Sequence, residues 1–298
     1  MSFSSFVDAF RIADATFAAA YDTLGDKRRS VLKKWISQLY LFWGRDRSLC
    51  RTQIQQWDQG ITTHECVRPL DWTLFVLSPD FSSPAQLLAA LLPALLAGVP
   101  RVVVAREETK IPFPAPLLAC MELAGQELVL EMNAASILEM TGAMFAESRR
   151  GKVCFLGKSP VMTSVRNLLP ERAFLGLATS GTTGGIWFDG CAQWDTQTLA
   201  WTLPDTVFCV GGDVPESMDT GLKMRAHSSS EKDFWTQDFD VLYTSDPSSQ
   251  GRCPCVFGPG QEGGWFWPDL TPRVFMDTAM SWQADMIEQV EEDDNGLV

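Results

Sequence analysis

The sequence predicts an α/β protein: a three-layer α/β/α Rossmann-like sheet, mostly parallel, with a helical N-terminal region. Three observations carry the prediction. Short β-rich runs alternate with helix-length segments from Asp71 onward. The first of those helices is bracketed by start and stop residues. The strands are apolar along their whole length, as expected of parallel strands covered on both faces.

Residues 6–45 have helical spacing, with a basic segment, DKRRSVLKKW, beside the aromatic ISQLYLFW. The basic run reads as a solvated helix face. TLFVL at 73–77, a helix near 84–97 and RVVVA at 101–105 form a βαβ unit. Ser83 is placed to cap that helix, Pro84 sits where no N–H donor is needed, and Gly98 lets the chain leave it.

The alternation continues with a helix near 115–124, ELVLE at 127–131, a helix near 134–146, VCFL at 153–156 and a helix near 160–168. AFLGLA, a Gly-rich turn, GIWFDG, a helix near 192–201 and TVFCV at 206–210 extend the same sheet. Val214 to Lys232 reads as a long polar surface loop, with one more strand at 239–243. The implied division is a helical region at 1–68, a Rossmann-like core at 69–212, an irregular Trp-rich portion at 213–287 and an acidic tail at 288–298.

With 46% hydrophobic residues in 298, the chain has enough apolar matter for a sizeable core. Its net charge of −13 argues against nucleic acid, which needs clustered Lys and Arg. Ala85 to Ala97 is the most apolar stretch, too short to span a bilayer, so no membrane partner is expected. Eight scattered cysteines without a signal-like start point to a reduced, cytoplasmic setting. Trp235, Trp265, Trp267 and Trp282 read as packing in a small subdomain.

SPDFSSPAQLLAALLPALLAGVPRVVVA, LLACMELAGQELVLEMNAASILEM and GKVCFLGKSPVMTSVRNLL follow one another as in the nucleotide-binding region of histidinol dehydrogenases. The DFSSP turn is similar to one in aldehyde dehydrogenases. The chain thus resembles the histidinol dehydrogenase and aldehyde dehydrogenase-like superfamily over about residues 71–210. That resemblance implies NAD as cofactor, yet most contact positions differ. The glutamine and asparagine that touch the dinucleotide fall on Ala135 and Pro160, and only Gly157 keeps its type. The zinc-ligand segment falls on Gln193, Trp194, Asp195 and Thr196, with threonine for histidine, so zinc is not expected. His64 and His227 lie outside the matching region and read as structural or solvated.

LATSGTTGG at 177–185 resembles the phosphate loop of adenylate-forming enzymes, although no lysine follows it. A generic anion loop and a tight Gly/Thr hairpin are the other readings. Gly258, Gly260 and Gly263 spell a G-x-G-x-x-G string that leads into no helix, and read as a loop. Cys253, with Cys255 and Arg252 beside it, is the one candidate nucleophile; a Pro-locked turn with ordinary thiols is the alternative.

Ser78, Ser83, Gly157 and Ser159, with Thr179, Ser180, Gly181, Thr182 and Thr183, are the candidate cofactor-binding positions. The expectation is a catalytically degenerate dehydrogenase-like protein that binds a small molecule or a protein, a homodimer included. The alternatives are an NAD(P)-dependent oxidoreductase using Cys253 and an ATP-binding adenylating enzyme using 180–184.

Overall fold

The computed structural model describes residues 3–44, 50–58, 60–179, 181–190, 193–215, 218, 221–227, 230–249 and 251–284. Three helices open the chain: α1 (Phe3–Asp8), α2 (Asp14–Thr23) and α3 (Gly25–Trp43). The basic run forms α3, which buries Leu32, Trp35 and Leu39 at helical spacing and turns its lysines outward.

Helix does not fill the rest of the expected N-terminal region. β1 (Arg51–Trp57) and β2 (Ile61–Pro69) form an antiparallel hairpin there, with no side chain of either strand fully buried. Polar side chains stand on both faces of RTQIQQW, so no period-two apolar signal marks it as a strand.

The predicted sheet then follows: β3 (Trp72–Leu77), α4 (Pro84–Ala97), β4 (Val102–Glu107), α5 (Ala115–Ala124), β5 (Val129–Met132), α6 (Ala134–Glu147), β6 (Gly151–Leu156), α7 (Met162–Leu168) and β7 (Phe174–Leu177). Its five strands are parallel in the order β5-β4-β3-β6-β7. Phe75, Leu77 and Val104 face α4 and α5 on one side, while Leu74, Val76 and Phe155 face α6 and α7 on the other. This is the α/β/α layering that continuously apolar strands require.

Ser83 caps α4 by accepting the Gln86 N–H at 3.2 Å, and Gly98 ends the helix at φ +81°. Leu87, Leu88, Leu91 and Leu92 are fully buried, each stabilising the fold by roughly 2 kcal/mol. At Gly151 any Cβ would lie 1.9 Å from the Trp72 ring, so the adjacent central strands approach only because one of them begins with glycine.

The sheet ends at β7, a correction to the single sheet expected as far as residue 212. β8 (Thr183–Phe188), α8 (Thr196–Thr202), β9 (Val207–Gly212), β10 (Lys223–His227), α9 (Glu231–Trp235), β11 (Val241–Tyr243) and β12 (Cys255–Phe257) build a second parallel sheet, ordered β10-β9-β8-β11-β12. The presumed loop at 214–232 therefore contains an edge strand, and the presumed irregular portion contains three strands of this sheet. Of these, β11 is the strand expected at 239–243, while KMRAH is too polar and CVF too short to register as strands by pattern. The central strand of each sheet comes first in sequence, so both halves share one strand order, that of dinucleotide-binding folds.

The largest apolar cluster joins the halves. It runs from Phe75 and Val104 through α4 and α5 to Leu199, Ile186, Phe208 and Tyr243 of the second sheet. β13 (Met276–Ala284) returns to pair antiparallel with β2 and completes a separate three-stranded sheet, β1-β2-β13. Among the described residues, no helix is long and apolar enough to cross a membrane.

Candidate functional site

In an open parallel sheet, ligands gather at the carboxyl ends of the strands where the strand order reverses. In the first sheet that place lies between β3 and β6, and three of the predicted residues converge there. The Ser78 N–H donates to Leu156 O at 3.0 Å, and the Gly157 N–H to Leu177 O at 3.2 Å. Gly157 has φ +90°, and a Cβ on it would lie 2.2 Å from Ser78 Oγ and 3.0 Å from Thr179 Oγ1. Glycine is thus required by the buried hydroxyls of Ser78 and Thr179 as well as by the turn.

Ser159 follows on the same strand-to-helix turn and donates to Glu107 Oε2 at 2.5 Å, anchoring the turn to the end of β4. Arg106 beside it is fully buried, donating to Pro79 O at 2.8 Å, Ile111 O at 3.0 Å and Glu131 at 3.3 Å. Burial pulls its pKa down against the opposing pull of the Glu131 carboxylate.

Beside this edge lies a cavity of about 440 Å³, bounded by Gly157 and Lys158, by Met162 and Arg166 of α7, by Glu171, and by β7 through Thr179. The Arg166 guanidinium stands 5.5 Å from the centre of the Phe174 ring, which aligns it along the apolar wall. Sequence reasoning had Gly157 and Thr179 but missed Lys158, Met162, Arg166, Glu171 and Phe174. The available signal was a lysine just past an apolar strand, followed by a helix carrying arginine one turn further on.

Ser83 does not line that cavity. Besides capping α4 it donates to Thr202 O at 2.7 Å, while Ser82 donates to Asp205 at 2.7 Å. The first turn of α4 (Pro84, Ala85, Gln86) is buried against the second half. A helix N-terminus with free N–H groups is what holds a pyrophosphate in this topology; here the protein itself covers it.

The 179–183 loop is the crossover between the two sheets. Ser180 lies outside the described residues, and Gly181 turns at φ +79°. Thr182 Oγ1 lies 3.0 Å from Thr206 Oγ1. Thr183, the first residue of β8, gives its N–H to Asp240 Oδ2 at 2.7 Å. A carboxylate of the chain therefore occupies the N–H that a phosphate would seek. The glycines that follow have a packing reason: a Cβ on Gly184 would fall 2.4 Å from the Phe208 ring, and one on Gly185 2.8 Å from Phe239.

Cys253 precedes β12, at the amino end of the second sheet's strands. Burial pushes its thiol pKa up, with Sγ donating to Cys255 O at 2.9 Å, and Arg252 stacks on Trp235 at 4.8 Å. A thiol so placed is held protonated, the opposite of an activated nucleophile.

Asp195 caps α8 through Thr198 N at 2.9 Å and pairs with Lys27 at 2.7 Å; burial works to raise its pKa, but these partners bring it below the ordinary value. The Trp194 indole donates to Trp187 O, and Thr196 opens the helix. Ala135 is exposed on the first turn of α6. His64 lies on β2 opposite Ile54 and Ser281, and the His227 side chain is outside the described set. Gly263 belongs to a loop packed on α3, where a Cβ would meet Val31 at 2.6 Å.

The fold is similar to that of histidinol dehydrogenase. Histidinol dehydrogenase from Elizabethkingia anophelis superposes with a TM-score of 0.57 at 12% identity, over 93% of this chain and 77% of that one. Succinate-semialdehyde dehydrogenase from Burkholderia pseudomallei gives 0.49 at 12% identity, over 95% and 90%. No family model matches the chain, and no curated protein matches it in sequence.

Proposed function

We propose that this chain binds a small anionic molecule with an apolar body, in the cavity beside β7, and performs no hydride transfer on its dehydrogenase-type scaffold. The observation that carries this reading is the grouping of Lys158 and Arg166 with Met162, Phe174 and Leu177 around one space of about 440 Å³. That volume lies within the ~300–1,000 Å³ of small-molecule sites. Two cations supply attraction for a carboxylate or phosphate, the arginine through a planar fork of donors. The apolar wall supplies the remaining contact.

The absence of hydride chemistry rests on the substituted positions. Ala135 and Pro160 replace amide side chains, Thr196 replaces a histidine, and Cys253 sits at the amino edge with a raised pKa. A dinucleotide fits poorly, because Ser83 and the second half cover the first turn of α4.

Calorimetric titration with octanoate and, separately, with NAD tests the proposal. Octanoate is expected to bind, at least tenfold more weakly to Lys158→Ala and Arg166→Ala, and NAD to give no heat. Saturable NAD binding would overturn the reading, as would octanoate binding that is absent or indifferent to both substitutions.

A further inference from the structure

β7 is an edge of the first sheet, and the cavity described above lies along it. Leu177 O accepts the Gly157 N–H at 3.2 Å, so Leu177 turns its backbone toward β6. Backbone groups alternate along a strand, so Leu175 faces β6 as well, while Phe174 and Gly176 face the open edge. The Phe174 N–H is taken by Glu171 O, at the turn that opens the strand. The Gly176 N–H and C=O meet no partner among the described residues, and Gly176 is itself exposed in the wall of the cavity.

Packing does not require the glycine. A Cβ on Gly176 would make ordinary contacts, 3.7 Å from Met162 Cε and 3.7 Å from Phe174 Cε1, and its φ is not positive. Gly151 and Gly157 differ, because a Cβ there would overlap Trp72 or Ser78. A strand glycine without such a cause marks a place where a ligand or another backbone comes close.

On the basis of the cavity reading above, we propose that the ligand is an N-acylated amino acid whose amide lies along the free edge of β7. Facing residues of an antiparallel pair exchange two hydrogen bonds, one in each direction. An N-acyl amino acid laid antiparallel to β7 supplies both: its amide N–H donates to Gly176 O, and one carboxylate oxygen accepts the Gly176 N–H. That orientation carries the carboxylate toward the Phe174 end of the strand, where the Arg166 guanidinium stands 5.5 Å from the ring centre. The acyl chain runs toward the Leu177 end, along the apolar wall. Lys158 and Arg166 outweigh the one carboxylate in the wall, Glu171, which favours a ligand with a single acidic group. A plain fatty acid has no N–H and leaves the Gly176 carbonyl unmatched.

Calorimetric titration of the full chain with octanoate, N-octanoylglycine and N-octanoylsarcosine tests this. The sarcosine compound carries a methyl group in place of the amide hydrogen. N-octanoylglycine is expected to bind at least as tightly as octanoate, and about fivefold or more tighter than N-octanoylsarcosine, the gain from one hydrogen bond. Gly176→Pro removes an edge N–H that no strand bond uses. It should weaken N-octanoylglycine about fivefold or more, with unchanged far-UV circular dichroism. Equal affinity for the glycine and sarcosine compounds overturns the inference while octanoate binding leaves the anion site standing, as does N-octanoylglycine binding more weakly than octanoate. Loss of binding for all three overturns both. If Gly176→Pro fails to fold, the three ligands decide the matter alone.

Discussion

Ser83 looks like a ligand residue in sequence and acts as a clasp between the two halves, which makes Ser83→Ala the sharpest test of the fold. The hydroxyl accepts the Gln86 N–H at 3.2 Å and donates to Thr202 O at 2.7 Å, with the side chain 1% exposed. Losing the cap costs about 1 kcal/mol. Leaving the Thr202 carbonyl buried without its donor adds about 1–3 kcal/mol. The expected destabilisation is therefore about 2–4 kcal/mol, read from urea unfolding midpoints followed by tryptophan fluorescence. Ser82→Ala, which removes a bond to half-buried Asp205, serves as control and should cost less than about 1 kcal/mol. A Ser83→Ala protein within about 0.5 kcal/mol of wild type would refute the clasp, and with it the claim that the start of α4 is closed to a pyrophosphate.

Gly157→Ala should destabilise by about 3 kcal/mol or more, combining the strain of φ +90° with overlap on Ser78 Oγ. In a Ser78→Ala background the same change should cost at least about 1 kcal/mol less, and strict additivity in that double-mutant cycle would refute the contact. Burial pushes the Cys154 thiol up to about 12 and Cys255 up to about 11, and raises Cys120 as well, from an ordinary value of 9.0. Because the folded values are raised, the stability these thiols contribute is complete below pH 9 and is lost as pH climbs from 9 toward 11, by about 1.4 kcal/mol per group and pH unit. Tyr243, raised by burial, acts in the same direction above pH 10. A urea midpoint that stays flat between pH 8.5 and 10.5 would contradict this.

The first sheet was legible because several local signals agreed. Its strands are continuously apolar, and α4 has Ser83, Pro84 and Gly98 at the positions helix ends demand. The second sheet was legible only in part: β8, α8, β9 and β11 fall where strands and a helix were expected, but its separation from the first sheet and its two edge strands were not, because the signals there conflict. Gly184 and Gly185 look like loop residues, yet they are glycine because Phe208 and Phe239 lie over β8. β10 is a polar edge strand, and β12 has three residues, fewer than a periodicity can be read from. In the candidate site, Gly157 and Thr179 stood out by their turn chemistry. Lys158, Arg166 and Glu171 did not, since each alone is an ordinary surface charge, and only the turn into α7 and back along β7 brings them to one cavity.

The pairing of β13 with β2 has a consequence for how the chain is made. Pro69 and Met276, partners at one end of that ladder, are separated by roughly 200 residues, so at about 5–20 residues per second a ribosome delivers the third strand some ten to forty seconds after the hairpin. Both parallel sheets can be complete in that interval, while β1 and β2 wait as a two-stranded ribbon with an open backbone edge. The outlying sheet is therefore the last to close during synthesis, and the nascent chain is most exposed to wrong pairing at β2.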